Sequence, residues 1–337
     1  TVHSLWKIRD KGYLFDLPEA KDIFYKVVDK AKENNYQVAL SLSDPFCVER
    51  HRTDFIKLIN KKLDILFYPD IHMSTNLYYL TLLKLARFQI TSWGHPETTG
   101  NNKIDFFLSS KLMEIDEYQN NFSEKVLLSN YLPMYFYKPK ISFALTKEDL
   151  FSKNIYSCPQ SLFKMHPSFD EAIKKILRKD KKAKIFFIKD KKEILSKMFF
   201  ERLKKEFSEN LDRIKFIDRL NPEEFIHHCG RASVLLDPFW FGAGNSFHES
   251  MLYGTATVTM PTKYTKSRIV TGAYKQMQID DAPIVDNVDD YVDKCIELAN
   301  QENIDLKIYY KEQAEKNLYE NPNVIGDIEN IFKSVIN

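Results

Sequence analysis

Asp237-Pro-Phe-Trp-Phe-Gly-Ala-Gly-Asn-Ser-Phe-His-Glu-Ser-Met-Leu-Tyr-Gly-Thr-Ala-Thr-Val-Thr-Met-Pro261 is the stretch on which the fold turns. Ala232 to Leu236 before it reads as a short buried strand, and Gly242 and Gly244 flank Ala243 in a turn. Ser246 to Tyr253 reads as a helix with Gly254 at its C′ position, and Thr255 to Met260 as the next strand. Strand, glycine turn, helix and strand make a βαβ unit. The helix start in such a unit collects unpaired N–H groups and partial positive charge, which suits a phosphate. Asn245 and Ser246 fall at the cap, and Glu249 lies one turn on, where a carboxylate accepts from ribose hydroxyls. The bland alternative is an ordinary turn that needs glycine for positive φ.

The same alternation runs outward in both directions. Upstream, strands are expected at Ser4–Ile8, Gln37–Leu42, Asp64–Tyr68, Phe88–Trp93 and Asp105–Leu108, with helices at Glu19–Asn34, Asp54–Asn60 and Leu77–Ala86. A second series starts near Ile155. It has helices at Asp170–Arg178, Glu193–Phe207 and Glu223–Cys229, and strands at Ala183–Ile188 and Arg213–Ile217. Val288–Leu298, Leu306–Leu318 and Val324–Ile336 read as helices. Two α/β series of similar size predict two Rossmann-like domains, residues 1–150 and 151–320, with 321–337 as a closing helix.

Composition narrows the function classes. At 337 residues the chain is too long for one small core, and 44% hydrophobic with 14% aromatic residues supplies two. A net charge of +2 implies no nucleic-acid partner. Cys47, Cys158, Cys229 and Cys295 lie far apart, without metal-ligand spacing, and fit free thiols in a reducing cytoplasm. No apolar run reaches the ~18 residues of a membrane span, and the first residues show no leader pattern. No tetratricopeptide period of about 34 residues is present.

Two further clusters carry chemistry. Trp93-Gly-His-Pro-Glu-Thr-Thr-Gly100 follows a strand, so its loop, with the hydroxyls of Thr98 and Thr99 free, falls where open α/β sheets bind ligands. A structural turn with His95 capping its own loop is the alternative. Cys158-Pro-Gln-Ser-Leu-Phe-Lys-Met-His-Pro167 puts Gln160 and Lys164 at the exit of the second series' first strand, where a lysine neutralises a diphosphate or simply stays solvated.

Taken with Leu66-Phe-Tyr-Pro-Asp-Ile71, these pieces stand in the order and separation that resemble the bacterial branch of the O-GlcNAc transferase family, inverting GT-B glycosyltransferases, from about Leu63 to Arg268. The resemblance implies two Rossmann-like domains facing a cleft, a last helix crossing back to the N-terminal domain, a UDP-sugar donor and no essential metal or other cofactor. It implies that Lys164 holds the donor diphosphate, that Gly242, Gly244, Asn245 and Ser246 serve the phosphates, that Glu249 binds ribose, and that Gln160 sits by the nucleotide. The loop with His95, Thr98, Thr99 and Gly100 would lie near the sugar. The family histidine of the first loop is missing from Phe15-Asp-Leu-Pro-Glu19. Asp16, Glu19, His72, His95 or a donor phosphate oxygen would then take the acceptor proton, although Asp16 and Glu19 also suit helix capping. The implied activity is transfer of GlcNAc, glucose or a similar sugar to a protein side chain, with the acceptor presented by a separate domain or subunit. A non-catalytic GT-B module binding nucleotide or a partner, and a nucleotide-sugar epimerase of the same shape, are the other readings.

Overall fold

The computed structural model describes residues 63–73, 78, 80–207 and 209–337, and the backbone of Val38–Leu40. The expectations for Ser4–Ile8, Glu19–Asn34 and Asp54–Asn60, and the positions of Asp16 and Glu19, lie outside the described residues.

The chain divides into two compact units, residues 1–137 with 320–337, and residues 138–319. The first holds a parallel sheet of β1 (Val38–Leu40), β2 (Leu63–Tyr68), β3 (Ala86–Ser92), β4 (Phe106–Ser110) and β5 (Lys125–Ser129), in that spatial order. Leu66, Phe67, Tyr68 and Ile90 are buried, as expected of parallel strands covered on both faces. The sequence reading left β5 without a strand. It also extended a helix to Ala86, which instead opens β3. Thr81 and Leu82 form a turn there, held by the Asn101 amide donating to the Thr81 carbonyl and hydroxyl at 3.1 and 2.9 Å.

The second unit carries β6 (Ile155–Cys158), β7 (Lys184–Ile188), β8 (Ile214–Ile217), β9 (Val234–Leu236) and β10 (Thr257–Val258), all parallel, in the order β10-β9-β6-β7-β8. The chain builds outward from β6 through β7 to β8, then returns to β6's other side with β9. The topological switch point therefore lies between β6 and β9, and in such sheets ligands usually bind at the carboxyl ends of the strands there.

Helices fill the connections: α1 (Lys147–Leu150), α2 (Ser168–Lys179), α3 (Ile194–Glu206), α4 (Pro222–Arg231), α5 (Asn245–Ser250), α6 (Ile269–Gln276), α7 (Val288–Asn300) and α8 (Ile304–Asn317). Their ends follow from local chemistry. Asn221 and Glu224 form a reciprocal capping box at α4, with Pro222 at its first position. Lys307, almost fully buried in α8, donates to the carbonyls of Leu150, Gly230 and Ala232 at 2.9, 2.7 and 2.8 Å, so one ammonium closes the ends of α1 and α4. Burial lowers its pKa to about 8. Gly254 takes φ +65°, and a side chain there would also strike the Lys307 carbonyl. It is therefore obligatory at the position where the sequence placed a helix C′ residue.

After Tyr319 the chain returns to the first unit. Glu320 N–H donates to the Phe136 carbonyl at 2.7 Å, and α9 (Pro322–Ile336) follows. Ile328, Ile331, Phe332 and Ile336 pack on Ile65, Phe67, Ile90 and Leu108 of the sheet. Asp327 accepts from the Ser129 hydroxyl at 2.6 Å and the Asn130 N–H at 2.8 Å at the end of β5.

Candidate functional site

In the second unit two connections meet at the switch point. After β6 the chain makes a single 3-10 turn, Leu162–Lys164, whose buried Leu162 anchors it and turns Phe163 out to solvent. Arg202 of α3 braces this turn from below, donating to the Met165 carbonyl at 2.8 Å and gripping Asp170 through two bonds of 2.7 and 2.9 Å. Lys164 is carried toward the glycine turn after β9. Its ammonium donates to the Gly242 carbonyl at 2.7 Å and to Gln160 Oε1 at 3.0 Å. It also sits 4.4 Å from the centre of the Phe241 ring. Gln160, buried, passes the link on by donating from Nε2 to Ser246 Oγ at 2.6 Å. The expected diphosphate residues Gln160, Lys164, Gly242 and Ser246 thus form one hydrogen-bonded group, with Gly244 and Asn245 on the intervening backbone.

The helix start differs from the expectation. α5 runs Asn245–Ser250, its N-cap is Gly244, and no side chain caps it, so Asn245 and Ser246 are its first two residues rather than its cap. Gly244 adopts φ −116° and ψ −105°, outside the regions open to other residues. Neither it nor Gly242 has positive φ. Gly242 is required for space: a Cβ there would meet the two Asp237 carboxylate oxygens at 2.8 and 2.9 Å. Glu249 lies half-buried one turn into α5, near Cys229 and Tyr319, whose loss of a proton its charge opposes.

Asp237 itself was given no role by the sequence reading, although an aspartate closing an apolar strand just before a glycine pair is a visible signal. It is 1% exposed. Oδ1 accepts from the Ala243 N–H at 2.6 Å and Oδ2 from the Thr259 hydroxyl at 2.7 Å. Burial raises its pKa to about 6, against the lowering effect of these bonds and of Lys164. Desolvation lowers the Lys164 pKa to about 8, opposed by the charge of Asp237. Near neutral pH the site therefore holds a cation ready to meet an anion, poised close to its own titration.

The loop Trp93–Gly100 in the first unit splits in two. Gly94 N–H donates to the Pro69 carbonyl at 3.2 Å, and a Cβ on Gly94 would collide with that backbone. This close approach seats His95 at the carboxyl ends of β2 and β3, its ring 5.0 Å from that of His72. Desolvation first, then the charge of His95, lowers the His72 pKa. Thr98 and Thr99 do not stay there. Their hydroxyls were expected to be free, but both donate to Glu124, which is buried immediately before β5: Thr98 Oγ1 to Oε2 at 2.7 Å, and Thr99 Oγ1 to Oε1. The Thr99 N–H joins at 2.8 Å. A buried carboxylate needs such donors. Gly100, at φ +62°, completes the turn beside them.

Among the described residues no group of histidine, cysteine, aspartate and glutamate has the arrangement to hold a metal ion. Among them, too, no helix is long and apolar enough to cross a membrane.

Two Rossmann-like units and a return helix make this the GT-B fold of glycosyltransferases. A mutant form of the O-GlcNAc transferase of Thermobaculum terrenum superposes with a TM-score of 0.73 at 14% identity, over 84% of this chain and 56% of that one. A glycosyltransferase of Rickettsia africae matches with a TM-score of 0.56 at 13% identity, over 92% and 87%. No protein-family model matches the chain. By sequence it is similar to the UDP-glucose:protein N-beta-glucosyltransferase of Actinobacillus pleuropneumoniae, 24% identical over 77% of this chain and 43% of the relative. It is also similar to a probable UDP-N-acetylglucosamine–peptide N-acetylglucosaminyltransferase of Arabidopsis thaliana, 22% identical over 72% and 26%. The chain spans less than half the length of these curated relatives. The resemblance read from the four motifs is thus also a similarity over most of the sequence.

Proposed function

We propose that this chain carries the catalytic region of an inverting glycosyltransferase that moves GlcNAc, glucose or a similar sugar from a UDP-sugar to a protein side chain. The observation that carries this reading is the linkage of Lys164 to Gly242 and, through Gln160, to Ser246 at the switch point of the second sheet. The names of its sequence relatives support it.

In this reading Lys164 leaves the Gly242 carbonyl to meet the donor diphosphate, and the N–H groups at Gly244, Asn245 and Ser246 receive the phosphate oxygens. Glu249 accepts from the ribose hydroxyls, and Gln160 orients the nucleotide end. As the acceptor nucleophile bonds to the anomeric carbon, the bond from that carbon to the diphosphate oxygen breaks, and negative charge gathers on departing UDP. Fixed donors and a cation stabilise that charge, each worth about 3 kcal/mol in comparable sites. Positive charge here comes from the lysine and backbone dipoles, so turnover should be the same in excess EDTA as in magnesium. His95, His72, Asp16, Glu19 or a phosphate oxygen of the donor takes the acceptor proton. The backbone around Thr98, Thr99 and Gly100 would shape the sugar side, since the two hydroxyls are occupied by Glu124. The acceptor polypeptide is presented by a separate domain or subunit. The buried free thiols Cys158, Cys229 and Cys295 suit a cytoplasmic setting.

Release of UDP from UDP-glucose and UDP-GlcNAc, with and without acceptor polypeptides, tests the proposal. Acceptor-dependent release with a mass increment on the acceptor supports it. Tight UDP binding without transfer to any acceptor would favour a binding module, and a new free sugar formed without acceptor would favour an epimerase.

A further inference from the structure

Asp237 lies against the glycine turn, and its side-chain contacts come from two separate segments. The turn supplies the Ala243 N–H. Thr259, after β10, supplies a hydroxyl. The missing side chain of Gly242 lets the carboxylate press against the turn's backbone. We infer that Asp237 is the positioning residue of this site: its two oxygens hold the Gly242–Gly244 turn in its anion-receiving shape, and its charge, against the same Gly242 to which Lys164 donates, balances that ammonium until the diphosphate arrives. This rests on the UDP-sugar reading for the identity of the anion.

The groups that face Asp237 electrostatically are Lys164 from the loop after β6, Cys158 of β6, Tyr274 of α6 and Tyr291 of α7. Burial raises the pKa of Cys158, Tyr274 and Tyr291, so all three stay neutral through the working pH range. Asp237 and Lys164 are then the pair that carries charge. Between about 6 and about 8, the pKa values to which burial drives them, both are ionised. A buried carboxylate is costly unless it is hydrogen-bonded and paired. Were it only the end of a strand, an uncharged side chain with the same hydrogen bonds would serve as well.

That difference is measurable with UDP as the probe, by calorimetry on the 337-residue chain from pH 6 to pH 9. Asn at 237 accepts from Ala243 N–H and donates to the Thr259 hydroxyl, so Asp237→Asn keeps the turn and removes only the charge. Its UDP affinity should match the unmutated chain within about threefold at pH 6 and fall severalfold below it at pH 8, because Lys164 loses its proton at a lower pH once the Asp237 charge is gone. Asp237→Ala removes the turn's anchor as well and should weaken UDP about tenfold or more at every pH. Superimposed pH profiles for the unmutated chain and Asp237→Asn would overturn the charge role, and unchanged affinity in Asp237→Ala would overturn the anchoring role. Should Asp237→Ala fail to fold, Thr259→Val, which removes the hydroxyl bound to Oδ2 and leaves the charge in place, should weaken UDP at every pH, and unchanged affinity overturns the anchoring role. Absence of UDP binding at any pH would instead overturn the functional reading on which it rests.

Discussion

Lys164 donates to the carbonyl of Gly242 at 2.7 Å, across the crevice between the loops after β6 and β9. The same ammonium lies over the ring of Phe241, the residue before that glycine. The two loops are thus latched by the very group assigned to the donor diphosphate. The carbonyl and the ring face offset the penalty of holding the lysine out of water, and an anionic ligand must take the place of both.

Replacing that latch tests the site directly. Lys164→Ala should weaken UDP by roughly 1.5–3 kcal/mol, the usual worth of a charge-assisted bond. Calorimetry with UDP reads it, and affinity equal to that of the unmutated chain would remove Lys164 from the site.

The depressed lysine also has a signature in stability. Lys164 titrates near 8 in the folded chain against 10.5 when unperturbed, so the unfolded chain binds its proton more tightly between those values. Stability due to this residue therefore rises as pH climbs through that window. Asp237 is raised from 3.8 to about 6, so the folded chain binds its proton more tightly, and its contribution falls as pH rises between those values. Urea unfolding of the unmutated chain and of Lys164→Met, compared from pH 7 to pH 10, should show the difference moving in favour of the lysine with pH. A pH-independent difference would contradict the assignment.

Lys307 is built for stability instead. Lys307→Met leaves the carbonyls of Leu150, Gly230 and Ala232 without their shared donor inside the protein. A loss of about 2 kcal/mol or more is expected in urea, with UDP affinity unchanged. A Tm equal to that of the unmutated chain would show that water replaces the ammonium.

The return helix offers a fourth check. The Phe332 ring meets Phe67 edge-on, with centroids 5.4 Å apart, inside the cluster on Ile65 and Leu108. Phe332→Ala should cost about 2–3 kcal/mol, less than a fully buried phenylalanine because its ring is only partly covered. Differential scanning calorimetry would follow it, and an unaltered melting curve would detach α9 from the sheet.

Much of this architecture is legible in the chain because parallel strands covered on both faces leave apolar runs such as Leu63–Tyr68, which stand out against helices with one wet face. Where that contrast fails, so does the reading. α6 is buried almost all round, with Ile269, Val270, Thr271, Gly272, Ala273, Tyr274 and Gln276 inside, so it has no polar stripe and was not recognised. β5 begins and ends in polar residues and keeps only Val126, Leu127 and Leu128 as its apolar run. The grouping of Lys164, Gln160 and Ser246 is legible because each lies in a local motif. The engagement of Thr98 and Thr99 by Glu124 is not, since those pairings span 26 and 25 residues and obey no local period. Asp237 escaped for a related reason: nothing in its neighbours along the chain reveals that Thr259 and Lys164 turn toward it.

The first unit is interrupted. Its sheet is made early, but α9 comes only after Lys138–Tyr319. On a ribosome, the apolar face formed by Ile65, Phe67, Ile90 and Leu108 must therefore wait for α9 while the entire second unit is translated and given time to fold. The second unit is one continuous stretch, complete before α9 is made, so it is the part able to finish first. Biogenesis then runs against the order of synthesis, and that sheet face lacks its return helix for many seconds, the interval in which a chaperone would matter most.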